Sequence, residues 1–136
     1  MLPLRYLRYW QITSVVILSL VLAAALMPAV WFWGDMSSGM AWFKGVDKWL
    51  HGITFTVLSL WFAGLYQRQS YWRVAVGLLV FGLGIEFCQR MVGYRTADWL
   101  DVSSDIAGIV VGFAIAITGM GGWSLRVERH IAESRT

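Results

Sequence analysis

The sequence predicts an all-α membrane protein, an antiparallel bundle of four transmembrane helices, and three observations support this fold class. Of the 136 residues, 58% are hydrophobic and 14% are charged, and the mean hydropathy is +0.61, a composition typical of proteins whose solvent is lipid. No Asp, Glu, Lys or Arg occurs between Arg8 and Asp35, and that run exceeds the roughly 20 residues needed to cross a hydrocarbon core. Three more apolar runs follow it.

The first span is expected to be a membrane helix. Its apolar run is longer than the hydrophobic region of a usual signal peptide, although Arg5 and Arg8 precede it and small residues occur within it. The segment after it, "GDMSSGMAWFKGV", is rich in turn residues and predicts an outer loop that dips into the membrane interface. We treat residues 1–136 as a single domain with these segments: spans 11–33, 49–66, 73–92 and 101–120, and a tail over 123–136.

The second span opens with "VDKWLHGITF". Asp47 there is interpreted either as a helix N-cap or as a site residue, and His51 lies one turn further on, in the membrane interface. The segment "QRQSYW" after this span is short, which predicts that spans two and three form an antiparallel hairpin.

The third span places a carboxylate inside the membrane. Only 12 uncharged residues separate Arg73 from Glu86, about 18 Å of helix, so the helix must continue to about Val92 to cross. A carboxylate at that depth is costly unless it is protonated, paired or hydrated, which favours a site role for Glu86 over a structural salt bridge, for instance with Arg90. Because Gly82, Glu86 and Gln89 recur at four- and three-residue steps, they share one helix face.

The fourth span repeats this arrangement. Asp101, Asp105, Gly108 and Gly112 also lie on one face, and Gly108 with Gly112 forms a GxxxG pattern that allows close helix packing. Asp98, just before the span, is interpreted as an N-cap or a site residue. The glycines of "GMGG" at 119–122 predict the end of the helix, and the weakly amphipathic tail is expected to lie on the inner leaflet or to fray.

The positive charges predict the orientation. With four spans, both termini and the middle loop share one side, and that side carries seven Lys and Arg residues against four on the other. By the positive-inside rule both termini are therefore expected to be cytoplasmic. The basic residues, at a net charge of +3, lie at the ends of apolar spans, so we do not expect a nucleic-acid partner. Tryptophans at 10, 31, 33, 42, 72, 99 and 123 fit interfacial belts.

Three motif blocks together resemble the VanZ-like family of small bacterial integral membrane proteins. They are "DKWLHGITFTVLSL" at 47–60, "GIEFCQ" at 84–89 and "YRTADWLDVSSDIAGIVVG" at 94–112, which occur in the family's order. The resemblance implies a multi-pass protein of the bacterial cytoplasmic membrane, in a family named after a low-level teicoplanin resistance determinant, and it implies no particular reaction. The sequence departs from the family at Asp105, where Asn is common.

The positions carried over from the resemblance coincide with those chosen from the sequence pattern. The candidate ligand-binding residues are Asp47, Lys48, His51, Glu86, Gln89, Arg95, Asp101 and Asp105. Gly108 and Gly112 are assigned to helix packing, and the catalytic candidates are His51, Glu86 and Asp101.

Three main hypotheses for the function remain open, and proton-coupled transport, which rests only on the intramembrane Glu86, is a weaker fourth. In the first, Lys48 and Arg95 bind the phosphate of an anionic envelope lipid or of a polyprenyl-phosphate-linked glycan precursor, with the acids orienting these cations or holding a divalent cation. In the second, the protein is a phosphohydrolase or phosphotransferase acting on a lipid phosphate, although the sequence contains no established motif of such an enzyme. In the third, the polar residues only stabilise a structural subunit, either a homo-oligomer or a component of an envelope complex.

Overall fold

The computed structural model describes residues 1–27, 36–92 and 99–134, with the side chains of these ranges except at 36–47 and 92. The described residues contain helices and no strands. The α-helices are α1 (Leu7–Ala25), α2 (Met36–Leu65), α3 (Tyr71–Val92), α4 (Trp99–Ile115) and α5 (Trp123–Glu133).

Three helical segments among the described residues are long and apolar enough to cross a membrane. They are Leu7–Ala25, Arg68–Met91 and Trp99–Met120, with mean hydropathies of 1.5, 1.5 and 1.8. Helix α1 ends at Ala25, and residues 28–33 of the predicted first span lie outside the described residues. Pro28 follows closely, and the residue before a proline is disfavoured in the helical conformation, which explains an end at this point.

The second helix begins much earlier than predicted. Residues 36–46 were expected to belong to a loop, but they form the first turns of α2. A single glycine inside a helix costs only about 1 kcal/mol, so Gly39 and Gly45 do not prevent the helix from forming. Asp47 consequently lies inside α2, and its interpretation as an N-cap is wrong.

A short turn joins α2 to α3. It contains a 3₁₀ turn over Arg68–Ser70, and α3 starts directly after it at Tyr71. The most extensive contact between helices is that of α2 with α4. The core of the bundle is apolar. It consists of Phe55, Leu58, Ala63, Tyr71, Leu78, Ile85, Ile109, Phe113 and Ala116.

The glycine-rich segment after α4 turns the chain back onto the bundle. A π-helical turn covers Ala116–Met120, and Gly119 and Gly122 adopt positive φ angles of 143° and 67°, which are readily accessible only to glycine. The Gly122 amide then donates a hydrogen bond to the Ala63 carbonyl, and the Ser124 hydroxyl donates one to the Gly64 carbonyl. Helix α5 is therefore packed against α2. Of the two alternatives for the tail, fraying is wrong, and a place on the inner leaflet stays a prediction.

Candidate functional site

Three helices bring ionisable side chains to one end of the bundle. His51 comes from α2, Glu86 from α3, and Asp101 and Asp105 from α4. We call these four residues the polar end. Each is buried, with exposed fractions of 8%, 5%, 6% and 1% in that order. Four buried ionisable groups in a bundle with an apolar core are unusual, because lipid or protein interiors disfavour charge.

Helix periodicity explains how these residues face one another. On α4 the buried face carries Asp101, Asp105, Gly108 and Gly112 at steps of four, three and four residues. On α3 the buried residues Gly82, Glu86 and Gln89 follow the same spacing. Since residues three and four apart lie on the same side of a helix, both faces point into the bundle.

The side chains of the polar end lie close to one another. His51 Nδ1 and Asp105 Oδ1 are 2.9 Å apart, a hydrogen-bonded imidazole–carboxylate pair. One potential metal-ligating atom from each of His51, Glu86 and Asp101 lies within 4.8 Å of the other two. A hydrogen-bond acceptor, a proton carrier and a candidate set of metal ligands are thus present in one place.

Glycines allow the helices to approach at this end. A Cβ atom on Gly82 would lie 2.5 Å from Asp105 Oδ2, so the Asp105 carboxylate packs directly on the α3 backbone. A Cβ on Gly108 would collide with the Gly52 carbonyl oxygen, and the Thr56 hydroxyl lies 2.8 Å from that oxygen and 3.1 Å from the Gly108 carbonyl oxygen. Gly108 and Gly112 both lie against α2, where the helix backbones come close together.

Gln89 and Lys48 are the other two candidate residues whose side chains the structure describes. The Gln89 amide, 1% exposed, donates a hydrogen bond of 2.9 Å to the Ala25 carbonyl and so ties α3 to the last turn of α1. Lys48 is half-buried, about one turn before His51 on α2. Arg90 is exposed. The side chain of Asp47 and residues Arg95 and Asp98 lie outside the described part of the structure.

Positive charge near the polar end would stabilise its buried carboxylates. Three carboxylates and one imidazole are buried close together, and carboxylates in a low-dielectric environment repel one another strongly. Protonation, nearby cations or a bound cation can relieve this repulsion. The arrangement is therefore better suited to receiving a cation or a proton than to contacting an anion directly.

Sequence reasoning missed the opposite end of the bundle. Trp10, Trp61 and Trp123 pack together there in tilted and edge-to-face pairs, with ring centroids 5.4–5.7 Å apart. The Glu128 carboxylate lies beside them, and we call these four residues the aromatic end. Trp10 and Trp123, which the sequence assigned to interfacial belts, also pack on one another. Trp72 and Trp99 are 64% and 76% exposed. The belts themselves stay a prediction.

A cleft of about 350 Å³ lies between α1, α2 and α3 in the half of the bundle nearer the aromatic end. It includes none of the polar-end residues. Its lining is almost entirely apolar, with Arg73 and Tyr66 as the residues with polar groups in their side chains: Leu18, Phe62, Tyr66, Arg73, Val74, Gly77, Leu78 and Phe81.

A family profile described as VanZ/LLP1 matches residues 4–120. The match covers most of the chain, from before α1 to the π-helical turn after α4. The chain belongs to the VanZ/LLP1 family. Family membership and the apolar helices together make it a VanZ-like membrane protein. No curated protein and no solved structure shows significant similarity to the chain.

The VanZ/LLP1 match includes every polar-end residue and excludes α5. Trp123 and Glu128, two of the four residues of the aromatic end, therefore lie beyond the matched region. The family profile therefore covers the polar end completely and the aromatic end only in part.

Proposed function

We propose that this VanZ-like protein is a four-helix protein of the bacterial cytoplasmic membrane that binds the anionic headgroup of an envelope lipid at its polar end. The observation that carries the proposal is the convergence of His51, Glu86, Asp101 and Asp105, all buried, on the same end of an apolar bundle. Intramembrane ionisable groups are expensive, and those that persist usually line a site.

The proposed topology has cytoplasmic termini and an outward-facing polar end. The Arg5 and Tyr6 amides donate hydrogen bonds of 2.8 and 3.0 Å to the Glu128 carboxylate, so the two ends of the chain meet at the aromatic end. An even number of crossings accounts for this meeting, and with α2 as the fourth crossing helix the bundle has four. The excess of basic residues on the side of the termini orients the polar end outward.

In this proposal two cationic side chains, Lys48 and Arg95, contact the headgroup phosphate. The buried carboxylates hold these side chains in position. Lys48 is half-buried close to His51 in the chain, and Arg95 lies between the third and fourth predicted spans. Arg and Lys bind phosphate through charge-assisted hydrogen bonds, and Arg does so with two parallel bonds. The buried acids would fix these cations, while the lipid tail stays in the bilayer.

Native mass spectrometry of the purified protein tests lipid binding. Lys48→Gln combined with Arg95→Gln is expected to reduce the retention of anionic lipids and leave that of zwitterionic lipids unchanged. Arg129→Gln is the matched control, because Arg129 is exposed on α5. Equal anionic-lipid retention by the double variant and the wild type would contradict the proposed site.

One observation favours a second candidate function, hydrolysis or transfer of a lipid phosphate. The His51–Asp105 pair at 2.9 Å is the arrangement in which a carboxylate orients an imidazole for acid–base or nucleophilic work. Incubating the purified protein with a polyprenyl diphosphate, with and without divalent metal, tests this candidate. Release of phosphate that His51→Ala abolishes would support it, and no release under either condition would eliminate it.

A further inference from the structure

The polar end has the donor set of a metal site. His51, Glu86 and Asp101 come from three different helices, each is more than 90% buried, and one potential ligand atom of each lies within 4.8 Å of the other two. Ligands of one tetrahedral ion at about 2.0–2.2 Å are roughly 3.4 Å from one another. Small rotations of the three side chains would bring the donors to that spacing.

Asp105 gives His51 the orientation that a metal ligand requires. An ionised carboxylate only accepts hydrogen bonds, so pairing with Asp105 Oδ1 would hold the proton of a neutral imidazole on Nδ1 and leave the lone pair of Nε2 for a ligand. Histidines that bind metals commonly donate their other ring N–H to a carboxylate in this way. Gly82 contributes to this arrangement, because the absence of its side chain leaves room for Asp105 Oδ2.

A carboxylate at residue 105 suits this role better than an amide would. An asparagine can present either its carbonyl or its amide group to His51, and the amide would leave Nδ1 as an acceptor. The carboxylate removes that ambiguity, because its oxygens only accept hydrogen bonds. The extra negative charge beside Glu86 and Asp101 is then compensated by a cation.

We propose that His51, Glu86 and Asp101 bind one divalent transition-metal ion, with Asp105 as a positioning residue for His51. A nitrogen ligand with two carboxylates suits Zn²⁺, Mn²⁺ or Fe²⁺, whereas Ca²⁺ takes oxygen ligands only. Three protein ligands leave at least one coordination position for water or for an oxygen of a ligand. The site depends on these residues alone, so it does not require the proposed lipid binding.

Metal content measures the proposal directly. The purified protein is stripped with a chelator, dialysed against Zn²⁺, Mn²⁺ or Co²⁺, and analysed by inductively coupled plasma mass spectrometry. We expect about one ion per wild-type chain and almost none bound by Glu86→Gln or Asp101→Asn. Glu133→Gln, which changes an exposed acid of α5, is the matched control and should bind as the wild type does. Asp105→Asn is expected to bind about 10- to 100-fold more weakly.

The outcomes separate this inference from the lipid proposal. Absence of a stoichiometric ion in the wild type, or equal binding by folded Glu86→Gln and Asp101→Asn, would overturn the metal site. If these variants do not fold, the wild type still decides the question: a visible d–d spectrum of bound Co²⁺ that Zn²⁺ displaces supports the site, and its absence overturns it. Lipid retention is scored separately, on metal-free protein, by the Lys48 and Arg95 variants.

Discussion

The polar end and the aromatic end of this bundle both contain a carboxylate among their polar groups, but the neighbours of the two carboxylates differ. At the aromatic end, Glu128 accepts hydrogen bonds from the amides of Arg5 and Tyr6 and from the indole of Trp10, at 2.8–3.0 Å. At the polar end, Glu86 lies close to Asp101 and to the His51–Asp105 pair, so carboxylates gather near one another. The described neighbours of Glu128 are hydrogen-bond donors, whereas those of Glu86 include two other carboxylates.

Under the proposed function, this difference divides the roles: the aromatic end stabilises the fold and the polar end forms the site. A carboxylate surrounded by donors stabilises the folded chain, and at the aromatic end it joins the first residues to α5. Acids that lie close together repel one another, and this reduces stability unless protons, nearby cations or a ligand compensate them. Functional sites often retain such destabilising groups, and replacing them then raises stability while activity is lost.

The largest expected effect lies at the close contact of α2 with α4, on which the geometry of the polar end depends. Gly108→Ala places a methyl group against the Gly52 carbonyl oxygen, and backbone cannot move aside as a flexible side chain does. We expect the free energy of unfolding to fall by about 3 kcal/mol, at the upper end of the usual range for overpacking. Reversible unfolding in mixed micelles measures it.

Gly84→Ala is the matched control for that experiment. Gly84 is exposed on α3, and a Cβ there would meet no atom within 4 Å. Alanine also has the higher helix propensity, so this variant should be as stable as the wild type or more stable by up to about 1 kcal/mol. Equal losses in both variants would show that close packing at Gly108 is not required.

The next effect concerns the tryptophan cluster. Trp61→Phe removes the indole N–H that donates to the Ser14 hydroxyl at 2.9 Å, and it weakens ring contacts with Trp10 and Trp123. A lost hydrogen bond and a lost aromatic pair together predict a decrease of about 2 kcal/mol in the free energy of unfolding. Trp72→Phe, at a 64% exposed position, should change it little, and a similar loss at Trp72 would contradict this account.

Low pH is expected to destabilise the contacts of the aromatic end. Burial alone would raise the pKa of Glu128, but hydrogen bonds from Trp10, Arg5 and Tyr6 and the charge of Arg5 outweigh it and hold that pKa below the usual 4.5. Because the folded pKa is the lower one, the stabilisation is complete above pH 4.5 and is lost as the pH falls through the folded value.

Tryptophan fluorescence follows this transition, since the indole of Trp10 is bonded to Glu128 itself. We expect the emission of the wild type to change below pH 4.5, toward that of Glu128→Gln, whose own emission stays nearly constant there. A change of equal size in Glu128→Gln would assign the transition to another group.

The polar end could be predicted from the sequence because its information is local. Steps of three and four residues along α3 and α4 identify the buried faces, and burial of Glu86 and Asp105 follows from them. The length argument for the third span likewise predicts a helix continuing to Val92, where α3 is observed. Spacing within one helix was sufficient for these inferences.

Features that depend on contacts between distant segments could not be predicted in this way. The start of α2 at Met36 was hidden by glycines and serines that a long helix tolerates. The hydrogen bond from Gln89 to Ala25 requires knowing that α3 passes the end of α1. Similarly, a tryptophan in an interfacial belt and a tryptophan that packs against two others both occur at the end of an apolar run, so the sequence does not distinguish them.

The smallest expected effect gives the most direct test, a comparison of Glu86→Gln with Glu128→Gln by their free energies of unfolding. The two substitutions make the same chemical change at opposite ends. We predict that Glu128→Gln loses about 1 kcal/mol, because its acceptor is weakened, and that Glu86→Gln stays within about 0.5 kcal/mol of the wild type or exceeds it, because repulsion is relieved. A larger loss for Glu86→Gln than for Glu128→Gln would show that the polar end is a stabilising network, and would contradict its assignment as a site.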